Sequence, residues 1–153
     1  DLLAIAKRED MALITDCGTP GFCDPGHQLV DLCRKANISV IPVPGASSLM
    51  TLLSVVSQRV DRFNFAGFLP ANSEKRITEL KRLSRSPDVV ILMDTPYRLQ
   101  KTLQEVKSFF SDKRVLIGID LTTEDEKIFE LHAQDIDLKL FPEKAEFIIL
   151  IYS

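Results

Sequence analysis

Tryptophan is absent from the 153 residues, and histidine, tyrosine and cysteine number only two, two and three. The cysteines, Cys17, Cys23 and Cys33, are odd in number and crowd into the first quarter of the chain. No paired CxxC or Cys/His spacing accompanies them, so neither a disulfide framework nor a zinc site is expected. His27 and His132 stand alone in sequence, and no metal is expected. No apolar run reaches the ~18–20 residues that span a bilayer, and no basic-then-apolar signal segment occurs. The expectation is a cytoplasmic protein without membrane contact. An excess of positive charge is also lacking: 19 Lys and Arg face 22 Asp and Glu, for a net charge of −3. Proteins that cover nucleic acid are usually basic, so any RNA contact here has to be local.

What is present is a core-forming composition, 45% hydrophobic with 27% charged residues. Helical and extended patterns alternate in the first half. Leu2 to Arg8 reads as the end of a helix and Met11 to Thr15 as a short apolar strand. His27 to Ala36 has helical apolar spacing, Ile38 to Val43 reads as a second strand, and Ser47 or Ser48 can cap a helix through Val56. Such alternation implies a parallel sheet with helices on its faces. Two strands cannot stand alone as a parallel sheet. The expectation is that an N-terminal segment supplying at least one further strand precedes Asp1. A linker near Arg59 to Asn64 divides a partial first α/β domain, 1–63, from a second, 64–153. In the second, a basic helix spans Ser73 to Ser84, and strand Val89 to Met93 precedes the turn Asp94-Thr95-Pro96. Helix Tyr97 to Phe110 and strand Val115 to Asp120 follow. Lys127 to Leu131 and Glu146 to Tyr152 read as the last strands, the final one apolar throughout and therefore central.

Two loops stand out. Asp16-Cys-Gly-Thr-Pro-Gly-Phe-Cys-Asp-Pro-Gly26 follows an apolar stretch and opens a helix, which in open α/β sheets is where ligands bind. Its glycines allow close approach of a ligand to backbone, and its prolines stiffen it. A tight connection uses the same residue types, but eleven residues is long for one. Pro44-Gly-Ala-Ser-Ser48 has the same strand-to-helix setting. Alone it reads as a helix cap; two such loops on successive strands would converge into a pocket.

These segments carry a family resemblance. Asp16 to Gly21 with Asp24-Pro-Gly26 resembles the SDAGTPGxSDPG signature of the bacterial 16S ribosomal RNA ribose methyltransferases, within the tetrapyrrole methylase superfamily. Val43 to Ser47 resembles their PGPSA loop, Asp61 to Pro70 their linker, and Thr95-Pro-Tyr-Arg98 their SPHR turn. Leu121-Thr122 with Glu126 is similar to LTKxHE, and Lys144-Ala-Glu-Phe147 to KGEF. Order and spacing hold over almost the whole chain. The resemblance implies a tetrapyrrole-methylase-like α/β fold of two α/β domains, with S-adenosylmethionine bound in the cleft between them. It implies a homodimer and methylation of a ribose 2′-hydroxyl of 16S rRNA in the small ribosomal subunit. By the same implication the donor is held by Asp16, Cys17, Gly18, Thr19 and Phe22, by Ala46, Ser47 and Ser48, and by Met93 at a strand end.

Departures from the pattern leave other readings open. Ile119, Thr123 and Asp125 stand where the family has Arg, Lys and His, which together with the acidic balance favours a small-molecule or tetrapyrrole methylase of the same fold. A non-catalytic relative is the third reading. Asp120, Glu124, Asp125 and Glu126 are the carboxylates that could act as base, but a solvated acidic turn explains any one of them better, so the base stays unassigned. On the basic helix, Lys75, Arg76, Lys81, Arg82 and Arg85 could meet phosphates, while Ile77, Leu80 and Leu83 suit an ordinary amphipathic helix.

Overall fold

Strand Phe147–Ile151 (β5), five consecutive apolar residues, lies at the centre of a five-stranded sheet. The order is β1-β2-β5-β3-β4, where β1 is Phe63–Phe68, β2 Val89–Met93, β3 Arg114–Ile119 and β4 Lys127–His132. The computed structural model describes residues 2–15 and 18–153. Only β1 and β2 pair in parallel; β5 runs antiparallel to both β2 and β3, and β4 antiparallel to β3. Continuous apolar character in β2, β3 and β5 follows from cover on both faces of the sheet.

Alternation by two sorts these strands between two cores. Val90, Leu92, Val115, Ile117, Ile119, Phe147, Ile149 and Ile151 face one core. Helices α4 (Ser73–Ser84) and α5 (Leu99–Phe109) cover it with Leu80, Leu83, Leu99, Leu103 and Val106. Val89, Ile91, Leu116, Ile148 and Leu150 face the other, which Leu49 and Leu52 of helix α3 (Ser48–Leu53) cover. Gly118 lacks a side chain on that second face, and the Leu121 side chain occupies the space, its Cδ2 at 2.9 Å from where a Cβ would be. Asn72 caps α4, its Oδ1 accepting from the Lys75 backbone N–H at 3.1 Å.

The chain folds as two compact units, Asp1–Ser48 and Leu49–Ser153, so the division falls at the start of α3 rather than at residue 63. In the first unit, α1 spans Leu2–Ala6 and α2 His27–Lys35. Asn37, at φ 56°, ends α2: Ile38 N–H donates to Cys33 O at 2.9 Å and Asn37 N–H to Arg34 O at 3.1 Å. That pair of bonds is a Schellman termination. The strands expected at Met11 to Thr15 and Ile38 to Val43 do not form. Neither stretch is part of a ladder among the described residues, and Ile14, Ile41 and Val43 are 84%, 78% and 79% exposed. A strand exists through its ladder partner, and among the described residues of this unit neither stretch has one.

Candidate functional site

Within the first unit the two Gly/Pro loops meet. Thr19 Oγ1 donates to Ala46 O at 3.0 Å across 27 residues. Gly18 adopts φ 76°, a left-handed conformation that side-chain-bearing residues rarely take, and a Cβ on it would stand 3.3 Å from Ala46 O. A Cβ on Gly45 would stand 3.2 Å from Thr19 Oγ1. Each contact between the loops therefore has a glycine on one side, Gly18 against Ala46 O and Gly45 against Thr19 Oγ1, the role that glycines play where backbones come close. Gly18, Thr19, Phe22, Ala46 and Ser48 are exposed, and Ser47 is half-buried. Asp16 and Cys17 lie outside the described residues.

In the second unit three sequence-distant segments converge at one end of the sheet. Because β5 runs antiparallel, its start adjoins the ends of β2 and β3. Met93 ends β2 and is half-buried. Segment 94–98 continues from it, 120–126 from β3, and 144–146 leads into β5. Asp120 joins the last two: its N–H donates to Glu146 O at 2.9 Å, and its Oδ1 accepts from Glu146 N–H at 3.0 Å. Lys144 Nζ reaches Tyr97 Oη at 3.1 Å. Asp120 and Thr122 hold φ of 44° and 70°. For a β-branched residue such as Thr122 this is strain, and strain of this kind concentrates at functional segments. Glu126 supports it by accepting from Thr122 N–H at 2.6 Å. Two of the four candidate carboxylates, Asp120 and Glu126, are thus engaged in holding the loop, while Glu124 and Asp125 are exposed. Ile119, where the family pattern has Arg, is 1% exposed in the main core.

A buried polar network, centred on Arg76, backs this end of the sheet. Arg76, grouped above with the outward cations of α4, is 1% exposed. Its Nε donates to Glu105 Oε2 at 2.7 Å, its Nη1 to Asp94 Oδ2 at 2.8 Å and its Nη2 to Thr102 Oγ1 at 2.9 Å. Asp94 Oδ1 in turn accepts from Thr95 N–H at 2.8 Å and Arg98 Nη1 at 3.2 Å. A signal was available: Arg76 shares the inward face of α4 with Leu80 and Leu83, at spacings of four and seven. Lys75, Lys81, Arg82 and Arg85 remain exposed, with Arg82 paired to Glu79 at 2.6 Å.

Among the described residues, no helix is long and apolar enough to cross a membrane, and no group of three His, Cys, Asp or Glu is placed to hold a metal ion.

The model of the family described as tetrapyrrole (corrin/porphyrin) methylases matches residues 2–137. A Synechocystis protein named ribosomal RNA small subunit methyltransferase I is 37% identical over 156 residues, covering 99% of this chain. This chain spans 56% of that relative's length. Among solved structures, the methyltransferase CobJ superposes with a TM-score of 0.67 at 13% identity, covering 99% of this chain and 68% of that one. A Thermus thermophilus uroporphyrin-III C-methyl transferase, complexed with S-adenyl homocysteine, gives 0.63 at 14% identity, with 99% and 70% covered. At these identities the structural likeness establishes the fold: α/β, of the tetrapyrrole methyltransferase type.

Proposed function

The chain belongs to the tetrapyrrole methylase family, and from that premise we propose that it is part of an S-adenosylmethionine-dependent methyltransferase acting on a ribose 2′-hydroxyl of 16S ribosomal RNA. The observation that carries the donor reading is the closure of the two glycine loops, Thr19 Oγ1 to Ala46 O at 3.0 Å with Gly18 turned against the same carbonyl. The name of the Synechocystis relative supports the RNA reading over a tetrapyrrole substrate.

In this reading the donor, when bound, supplies a methyl group on a sulfonium, and no metal is needed. Gly18 and Thr19 face it with backbone, since the Thr19 hydroxyl is already committed to Ala46. Asp16, Cys17, Phe22, Ala46, Ser47 and Ser48 complete the donor set within the first unit. Rigid loops matter because methyl transfer is an in-line displacement, and alignment of acceptor and methyl can supply ~7–11 kcal/mol of the barrier. A base for the ribose hydroxyl typically adds ~10²–10⁴-fold. Glu124 and Asp125, with side chains exposed beside the strained turn, are the carboxylates to test for that role.

The exposed cations of α4, Lys75, Lys81, Arg82 and Arg85, supply local positive charge for phosphates in a chain of net charge −3. Homodimer formation belongs to the same reading: a second copy would cover the exposed Ile14, Ile41 and Val43. Calorimetric titration with S-adenosylmethionine, followed by methyl transfer to isolated small ribosomal subunits, tests the proposal. Donor binding with transfer to the subunits is expected; a folded chain that binds no donor overturns it.

A further inference from the structure

The turn after β2 presents an aromatic ring that the donor reading does not use. Tyr97 is 77% exposed, yet its surroundings are fixed before any partner arrives. From beneath, Asp94 pins the turn through Thr95 N–H and Arg98, and Asp94 is itself held by the buried Arg76. From one side, the Lys144 ammonium stands 4.2 Å from the ring centroid and 3.1 Å from the phenol oxygen. A cation over one ring face stabilises the ring's position and leaves the exposed remainder available.

We propose that Tyr97, backed by Lys144, is a stacking platform for an unpaired nucleobase of an RNA strand, with the Lys144 ammonium able to serve the adjoining phosphate. The proposal rests on the RNA methyltransferase reading and names the surface that would take the substrate. Sequence-specific and single-strand RNA contacts rely on splayed bases stacked on aromatic rings, and every base offers a π-face. The location fits, because Tyr97 follows four residues after Met93, at the sheet end where segments 94–98, 120–126 and 144–146 converge. Its electrostatics also favour stacking over bulk charge. Asp120, Glu124, Asp125, Glu126, Glu143 and Glu146 share that end with Lys127, Lys144 and Arg98, so phosphate attraction alone would be weak.

The test is fluorescence anisotropy of the full chain with a short labelled single-stranded RNA of mixed sequence, and with the same RNA annealed to its complement. The wild type is expected to prefer the single strand. Tyr97→Ala should weaken single-strand binding at least about fivefold, as loss of one stacked base does. Tyr97→Phe and Tyr97→Trp should stay close to wild type, because the ring survives although the hydroxyl bond to Lys144 is lost. Equal loss in Tyr97→Phe and Tyr97→Ala would show that only the Lys144 contact matters and would overturn the platform. So would unchanged binding by Tyr97→Ala, equal binding of duplex, or no RNA binding by the wild type. Donor titration on the same samples separates the two ideas: loss of donor binding with Tyr97-dependent RNA binding intact sinks the methyltransferase reading alone.

Discussion

Arg76 and Asp94, on α4 and at the end of β2, form an ion pair of 2.8 Å whose side chains are 1% and 0% exposed. Glu105 and Thr102 of α5 occupy the rest of the guanidinium, so one side chain ties two helices to the strand end that leads into the Tyr97 turn. Among the described residues no buried side-chain polar atom is left without a partner. That complete satisfaction is what makes a buried charge tolerable.

Arg76→Met is therefore expected to cost about 3–5 kcal/mol, because it strands Asp94 without its buried partner. Urea denaturation followed by circular dichroism measures this. Arg76→Lys should also destabilise, since a single ammonium cannot reproduce a fork that reaches three residues. Wild-type stability in both variants would remove the network from any account of the fold.

Gly18→Val tests the loop pair. The φ of 76° strains any side-chain-bearing residue, and the 3.3 Å approach to Ala46 O requires the facing loop to shift. A left-handed conformation alone costs a non-glycine residue roughly 1–2 kcal/mol. Calorimetry should show loss of S-adenosylmethionine binding, while the cooperative unfolding of the sheet-bearing unit stays intact. Unchanged affinity in the folded variant would reduce this loop to a turn.

Gly118→Ala would place a methyl 2.9 Å from Leu121 Cδ2 and 3.0 Å from its Cγ. Overpacking of this kind costs typically ~1–3 kcal/mol. Adding Leu121→Ala in the same background should recover part of the loss, and a double-mutant cycle from chemical denaturation reads the coupling. Additive effects would mean that the two residues do not share the space.

Cys23 is expected to react with iodoacetamide more slowly than a free thiol at neutral pH. Although Cys23 is exposed, partial desolvation of its thiol raises its pKa above the ordinary value and neighbouring Asp24 adds to the rise, so less thiolate is present. Peptide-resolved mass spectrometry separates its alkylation from that of Cys17 and Cys33. Urea should accelerate the reaction more than Asp24→Asn does, because burial is the larger cause. A faster rate in the folded chain than in urea would contradict this.

Local pattern alone was enough for most of the second unit. Capping and periodicity place α4 at Ser73–Ser84, an apolar run places β2 at Val89–Met93, and the all-apolar final strand belongs at the sheet centre, where β5 lies. Helices and fully covered strands carry their cause in their own residues, as periodicity and unbroken apolar character. The glycine loops were legible for the same reason, since a need for positive φ selects glycine.

Other features were decided only by tertiary structure. Met11 to Thr15 and Ile38 to Val43 have strand-like composition, but a strand is completed by a partner's backbone, which composition does not contain. Helical spacing puts Arg76 on the inward face of α4, but only packing against α5 and β2 supplies Glu105, Thr102 and Asp94 as its partners. The meeting of Tyr97 with Lys144, 47 residues apart, depends on β5 entering antiparallel beside β2. That pairing is a long-range choice, made by which faces must be buried together, and no local stretch of sequence encodes it.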